Sequence, residues 1–202
     1  MSMRPTAARV ATFIAAAIVV ACSGEEALVS PHVDGAPPFG VVSNPEGAVI
    51  RPVSRDSALA VNDTFSFDVG PLGTLVRRSS MGLTIQVPAG AVAAPTHITV
   101  IALKGASLAY RFEPHGLHFA VPLQLTQSLR GVRLNEPLSV PQLFAGYFAD
   151  DSLPVDATGN ARVIEILPVH VDVMHRTALL EIRHFSGYTV ASASSDSLSD
   201  AR

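Results

Sequence analysis

Residues 117–125 alternate without a break. Leu117, Phe119, Val121, Leu123 and Leu125 fall on one face; His118, Ala120, Pro122 and Gln124 fall on the other. Successive strand side chains point to opposite faces of a sheet, so this pattern predicts a half-buried β-strand. Pro122 has no amide hydrogen for a ladder, which predicts an edge position or a bulge there. The turn residues Pro114-His115-Gly116 open the stretch. The same period recurs along the chain. Phe65, Phe67 and Val69 alternate with Thr64, Ser66 and Asp68; Met81, Leu83, Ile85 and Val87 alternate with Gly82, Thr84 and Gln86. Residues 97–103 are β-branched or apolar on both faces, as a central strand requires. Further strands are predicted at 143–148, at 163–167 and 169–173 with Pro168 between them, at 177–183 and at 184–191. Gly70-Pro71-Leu72-Gly73, Arg77-Arg78-Ser79-Ser80, Pro88-Ala89-Gly90 and Met174-His175-Arg176 read as turns. Many short strands between turn signals, with no helical period after the first residues, predict an all-β antiparallel β-sandwich over residues 56–192. A serine- and aspartate-rich tail, 193–202, follows it.

The N-terminus has a different pattern. Arg4 and Arg9 precede an apolar run, residues 10–21, broken only by Thr12. This is the plan of a secretory signal, and the run is shorter than the roughly 20 residues of a membrane-spanning helix. It ends Val19-Val20-Ala21-Cys22-Ser23, which resembles a bacterial lipobox. That resemblance implies a signal-peptide helix over 1–21, cleavage before Cys22, and acylation of Cys22 (diacylglycerol on the thiol, a fatty acid such as palmitate on the amine). The same residues also admit an ordinary signal peptide that leaves Cys22 an idle thiol. Several acyl chains give stable anchoring where one chain gives only marginal binding. Ser23 in place of aspartate is similar to the sorting pattern of lipoproteins in double-membraned bacteria, and that resemblance implies an outer-membrane address. Residues 22–55 hold Gly24, Pro31, Gly35, Pro37, Pro38, Gly40, Pro45, Gly47 and Pro52, and this density predicts a flexible tether.

Composition narrows the function classes. A hydrophobic share of 48% over 202 residues supplies one full core. Charged residues make up only 15%, with a net charge of −3, so the basic footprint of a nucleic-acid binder is missing. One cysteine excludes an internal disulfide. The partners expected are membrane lipid through Cys22 and an envelope protein. Neither a cofactor nor a small-molecule substrate is indicated.

Three blocks of the predicted sandwich resemble the ZU-five domain, the β-sandwich module of zonula occludens proteins, netrin receptors and ankyrins. They are Gly73-Thr74-Leu75 with Leu83-Thr84-Ile85-Gln86-Val87-Pro88-Ala89-Gly90-Ala91-Val92, then Pro114-His115-Gly116-Leu117-His118-Phe119 with Val121-Pro122-Leu123, then His184-Phe185-Ser186-Gly187-Tyr188. The resemblance runs from about residue 64 to 191 and implies a non-enzymatic interaction or structural module. In some relatives a Phe-Ser bond of this module cuts itself, so it also implies one candidate chemistry. The Ser186 hydroxyl would attack the Phe185 carbonyl, with His184 moving the proton and Gly187 allowing a strained turn. The competing expectation is that Phe185 and Tyr188 are core residues beside a bulge at Ser186-Gly187.

Other candidate sites are weaker. His115 and His118 are three apart, which on a strand puts them on opposite faces. His170 and His175 flank a turn without a partnering carboxylate motif, so no metal site is predicted. Asp150, Asp151 and Asp156 match no calcium-loop spacing. Ser79 and Ser80 have no base in a hydrolase pattern.

Overall fold

The computed structural model describes residues 42–134, 143–149 and 151–192. The expected signal peptide, Cys22, most of the expected tether and the expected tail lie outside the described residues. The described part is almost wholly strand and antiparallel, and the sandwich predicted from period-two burial is what forms. In chain order the strands are β1 (Val42–Pro52), β2 (Ser54–Leu59), β3 (Asp63–Val69), β4 (Thr74–Arg78), β5 (Leu83–Val87), β6 (Thr96–Ala102) and β7 (Gly105–Ser107). They continue with β8 (Ala109–Glu113), β9 (His118–Ser128), β10 (Val132–Arg133), β11 (Leu143–Phe148), β12 (Ala161–Asp172), β13 (Thr177–His184) and β14 (Gly187–Ser192). One layer runs β3-β6-β8-β14 and on to β11 and β12; the other runs β12-β13-β9-β5-β4. The short strands β10, β2 and β7 form a separate three-stranded sheet.

Two local features join the layers. β12 is a single strand, not the two predicted. Its first part pairs with β11 up to Pro168 opposite Phe144, and from Val169 opposite Leu180 it pairs with β13. Pro168 therefore marks where β12 passes from one sheet to the other. At the far edges, Arg78 of β4 lies 3.7 Å from Asp63 of β3 and over the Phe65 ring.

Burial follows the alternation. Phe119, Leu123 and Leu125 of β9 are buried, and Gln127 continues the row. Val121 departs from it and is exposed. The reason is a bulge. β9 lies between β13 and β5, and its register with β13 slips between the Leu123–Ile182 pair and the His118–His184 pair. Of the two positions that Pro122 allowed, edge or bulge, the bulge occurs.

The tether boundary differs from the sequence expectation. Residues 42–52 are strand β1, paired with β12 from Val42 to Ile50 and with β14 at Arg51 and Pro52. The register breaks between Ser43 and Ala48, a stretch that holds Pro45 and Gly47. A proline without a donor and a glycine at φ +78° are absorbed in this irregularity. Because β11 pairs with both β14 and β12, the four strands β1, β14, β11 and β12 close into a ring of pairings. Gly146 lies inside it: a Cβ there would come within 2.5 Å of Ile50 Cδ1 and 2.6 Å of Val163 Cγ1.

Candidate functional site

Two strand-to-strand corners meet at Phe185-Ser186. β13 belongs to one layer and β14 to the other, and only Phe185 and Ser186 separate them. β8 and β9 make the same change of layer through residues 114–117. The corners are hydrogen-bonded to each other. The Phe112 amide donates to the Ser186 carbonyl at 2.9 Å, the Phe185 amide to the Leu117 carbonyl at 2.8 Å, and the Gly116 amide to the Phe185 carbonyl at 3.0 Å. Phe185 is 1% exposed and packs edge-on to Phe119 and stacked on Phe112. Phe185 and Tyr188 are thus core residues, as one of the two expectations had it.

Ser186 is also 1% exposed. Its hydroxyl oxygen lies 3.0 Å from His115 Nε2 and 3.1 Å from the Phe148 carbonyl oxygen. A serine hydroxyl carries one hydrogen, so it donates to one of these acceptors at a time. When it donates to His115, the imidazole stands as a base. When it donates to Phe148, the imidazole N–H can donate to the hydroxyl oxygen. The His115 residue itself is exposed on the corner.

The His184 ring points elsewhere. Its Nε2 is 3.6 Å from Glu165 Oε2, and the Tyr147 ring meets it edge-on with centroids 4.8 Å apart. His118 is its cross-strand neighbour, with ring centroids 5.6 Å apart. The imidazole against Ser186 is therefore that of His115, and the sequence reading missed it. The signal lay in the turn Pro114-His115-Gly116, but its partner is 71 positions away.

Gly187 serves space and not backbone conformation. Its φ is outside the left-handed region, and a Cβ there would run into the Phe148 ring. Among the described residues the only non-glycine with positive φ is Arg176, in the β12–β13 turn. The corner therefore lacks the left-handed backbone strain that a self-cleaving turn was expected to hold.

No family model matches the chain, and no curated protein matches it.

The remaining candidates have local roles. His175 Nδ1 lies 2.6 Å from Asp172 Oδ2, and its amide donates to Oδ1. Asp156 Oδ1 accepts from the Thr158 amide and hydroxyl and from the Asn160 amide, closing a turn. These hydrogen bonds hold both carboxyls below the usual carboxylate range. His170 is exposed opposite Leu179. Asp151 accepts from Arg111, and Asp150 lies outside the described residues. Among the described residues no three His, Cys, Asp or Glu side chains are grouped to hold a metal ion.

Proposed function

We propose that this domain is a self-cleaving β-sandwich of the ZU-five type, cut between Phe185 and Ser186 and carried on a lipid anchor at Cys22 in the bacterial envelope. The observation that carries the cleavage is the convergence of three groups on one peptide bond. A buried serine hydroxyl has an imidazole nitrogen at 3.0 Å, and the carbonyl it would attack already accepts an amide N–H at 3.0 Å. Both are within the reach that proton transfer and oxyanion stabilisation require.

The chemistry is an N-to-O acyl shift. The Ser186 hydroxyl gives its proton to His115 Nε2 while its oxygen adds to the Phe185 carbonyl carbon. Charge builds on the carbonyl oxygen, where the Gly116 N–H stands. The C–N bond then breaks, and His115 returns the proton to the departing Ser186 amine. The product is an ester joining Phe185 to the Ser186 side chain. Water hydrolyses it to a Phe185 carboxylate and a free Ser186 hydroxyl and amine. No co-reactant other than water is consumed.

Intact mass under denaturing conditions is the test. The expected result is a fragment beginning at Ser186, absent in Ser186→Ala and slowed about 10²–10⁴-fold in His115→Gln. A single full-length species for the unaltered chain overturns the cleavage.

A second reading is a lipid-anchored, non-enzymatic interaction or structural module whose partner is an envelope protein. Its support is that the Ser186 hydroxyl already has the Phe148 carbonyl as acceptor and that the corner shows no left-handed strain. The same mass measurement separates the two, and the anchor at Cys22 is common to both.

A further inference from the structure

The corner is held from a second side. Tyr188 lies four residues beyond His184 on β14, and its hydroxyl donates to the His184 carbonyl at 2.6 Å. This bond spans the two residues that join the layers. It closes a loop over Phe185, Ser186 and Gly187 that contains the bond between Phe185 and Ser186. The backbone bonds to the β8–β9 corner fix the outer side of that bond, at Phe112, Gly116 and Leu117. Tyr188 fixes it from within the sandwich, just before the bond begins.

The donor is itself tightly placed. Tyr188 is 3% exposed, edge-on to Phe112, and its ring sits 5.6 Å from that of Tyr147. Tyr147 is its cross-strand partner and is also the partner of Glu165. Glu165, Tyr147, Tyr188 and Tyr110 thus form one row across β12, β11, β14 and β8. Burial raises the Tyr188 phenol above its ordinary value of 10.0, so it remains a donor across the neutral range.

We propose that Tyr188 is a positioning residue for the self-cleavage: its hydroxyl pins the His184 carbonyl and so sets the Phe185 carbonyl carbon within reach of the Ser186 hydroxyl. This rests on the cleavage proposed above. It assigns Tyr188 no proton transfer and no contact with the reacting atoms. Misplacing a reacting group by about 1 Å can cost about 10²-fold in rate, which sets the expected effect.

The experiment follows cleavage after refolding from denaturant, by intact mass, in the full chain. Y188F keeps the ring contacts and removes only the hydroxyl. Its melting midpoint is measured first, by circular dichroism, and the rate is read well below it. The expected result is cleavage slowed about 10²-fold, with the shape of the pH profile unchanged because Tyr188 carries no proton in the reaction. Added hydroxylamine, which intercepts the ester, is expected not to restore the rate, since the acyl shift itself is slowed. E165Q is the second variant. It removes the carboxylate beside the His184 ring but leaves the Tyr188 bond, and it is expected to cleave within threefold of the unaltered chain. Y188F cleaving at the unaltered rate overturns the proposal, and so does E165Q slowing as much as Y188F, because the ring and not the carbonyl would then set the position. Hydroxylamine rescue of Y188F also overturns it. If the unaltered chain never cleaves, the cleavage itself fails and this proposal falls with it.

Discussion

At the scale of single residues, Gly187 shows how a position can be fixed by a neighbour and not by its own backbone. The ring of Phe148 occupies the space where a side chain would begin. Phe148 cannot retreat easily, since it is fully buried and its carbonyl accepts the Ser186 hydroxyl. Gly187→Ala therefore forces either the ring or the β11–β14 pairing to move. Overpacking of this kind costs about 1–3 kcal/mol. Urea unfolding of an S186A background, which removes any cleavage from the comparison, should show that loss as a lower midpoint. An unchanged midpoint would mean that the ring moves freely. The sequence showed a glycine beside a serine and suggested conformational freedom. It could not show Phe148, which is brought over Gly187 only by strand pairing.

At the scale of elements, most of the longer strands after residue 56 were readable because burial on one face writes itself into every second residue. By contrast, β7, β8 and β10 were not read, and Arg77-Arg78, read as a turn, belongs to β4. Two kinds of information were not written locally. One is which sheet a strand joins. The alternation gives β9 after the turn at Pro114-His115-Gly116, but β8 before that turn was not read as a strand. Nothing local says that the chain changes layer there, and that change is what carries His115 to Ser186. The other is a strand with an irregular ladder. Pro45, Gly47 and Pro52 made residues 42–52 look like tether, yet the pairing of Ala48, Val49 and Ile50 with β12 survives the break before them. Ile50 is buried against Ala161, Val163 and Ala191. Removing β1 would open that cluster and leave one side of β12 and part of β14 unpaired. Residue 55, the tether boundary read from the sequence, is therefore a poor place to start a folded domain. A chain beginning at Val53 should lose cooperative thermal unfolding, whereas one beginning at Val42 should keep it. Equal melting curves from the two would mean that β1 adds nothing to the fold.

At the scale of the whole molecule, cleavage and anchoring combine into one expectation. The piece starting at Ser186 carries β14, which pairs with β8, β11 and β1 and is buried at every position. Side chains of valine or phenylalanine size contribute about 1.5–3 kcal/mol each when fully buried. The backbone ladders on both sides would also have to exchange with water for the strand to leave. Cutting one peptide bond removes none of these contacts, so the two pieces should stay together in a native fold. The larger piece would carry the lipid at Cys22. Membrane fractions from cells making the unaltered chain should then hold both pieces, and only denaturant should release the smaller one. Cys22→Ser should move both to the soluble fraction in equal amounts. If that substitution left membrane association unchanged, the anchor would be wrong. If the small piece instead appeared in the soluble fraction without denaturant, β14 would be held less firmly than its pairing and burial require.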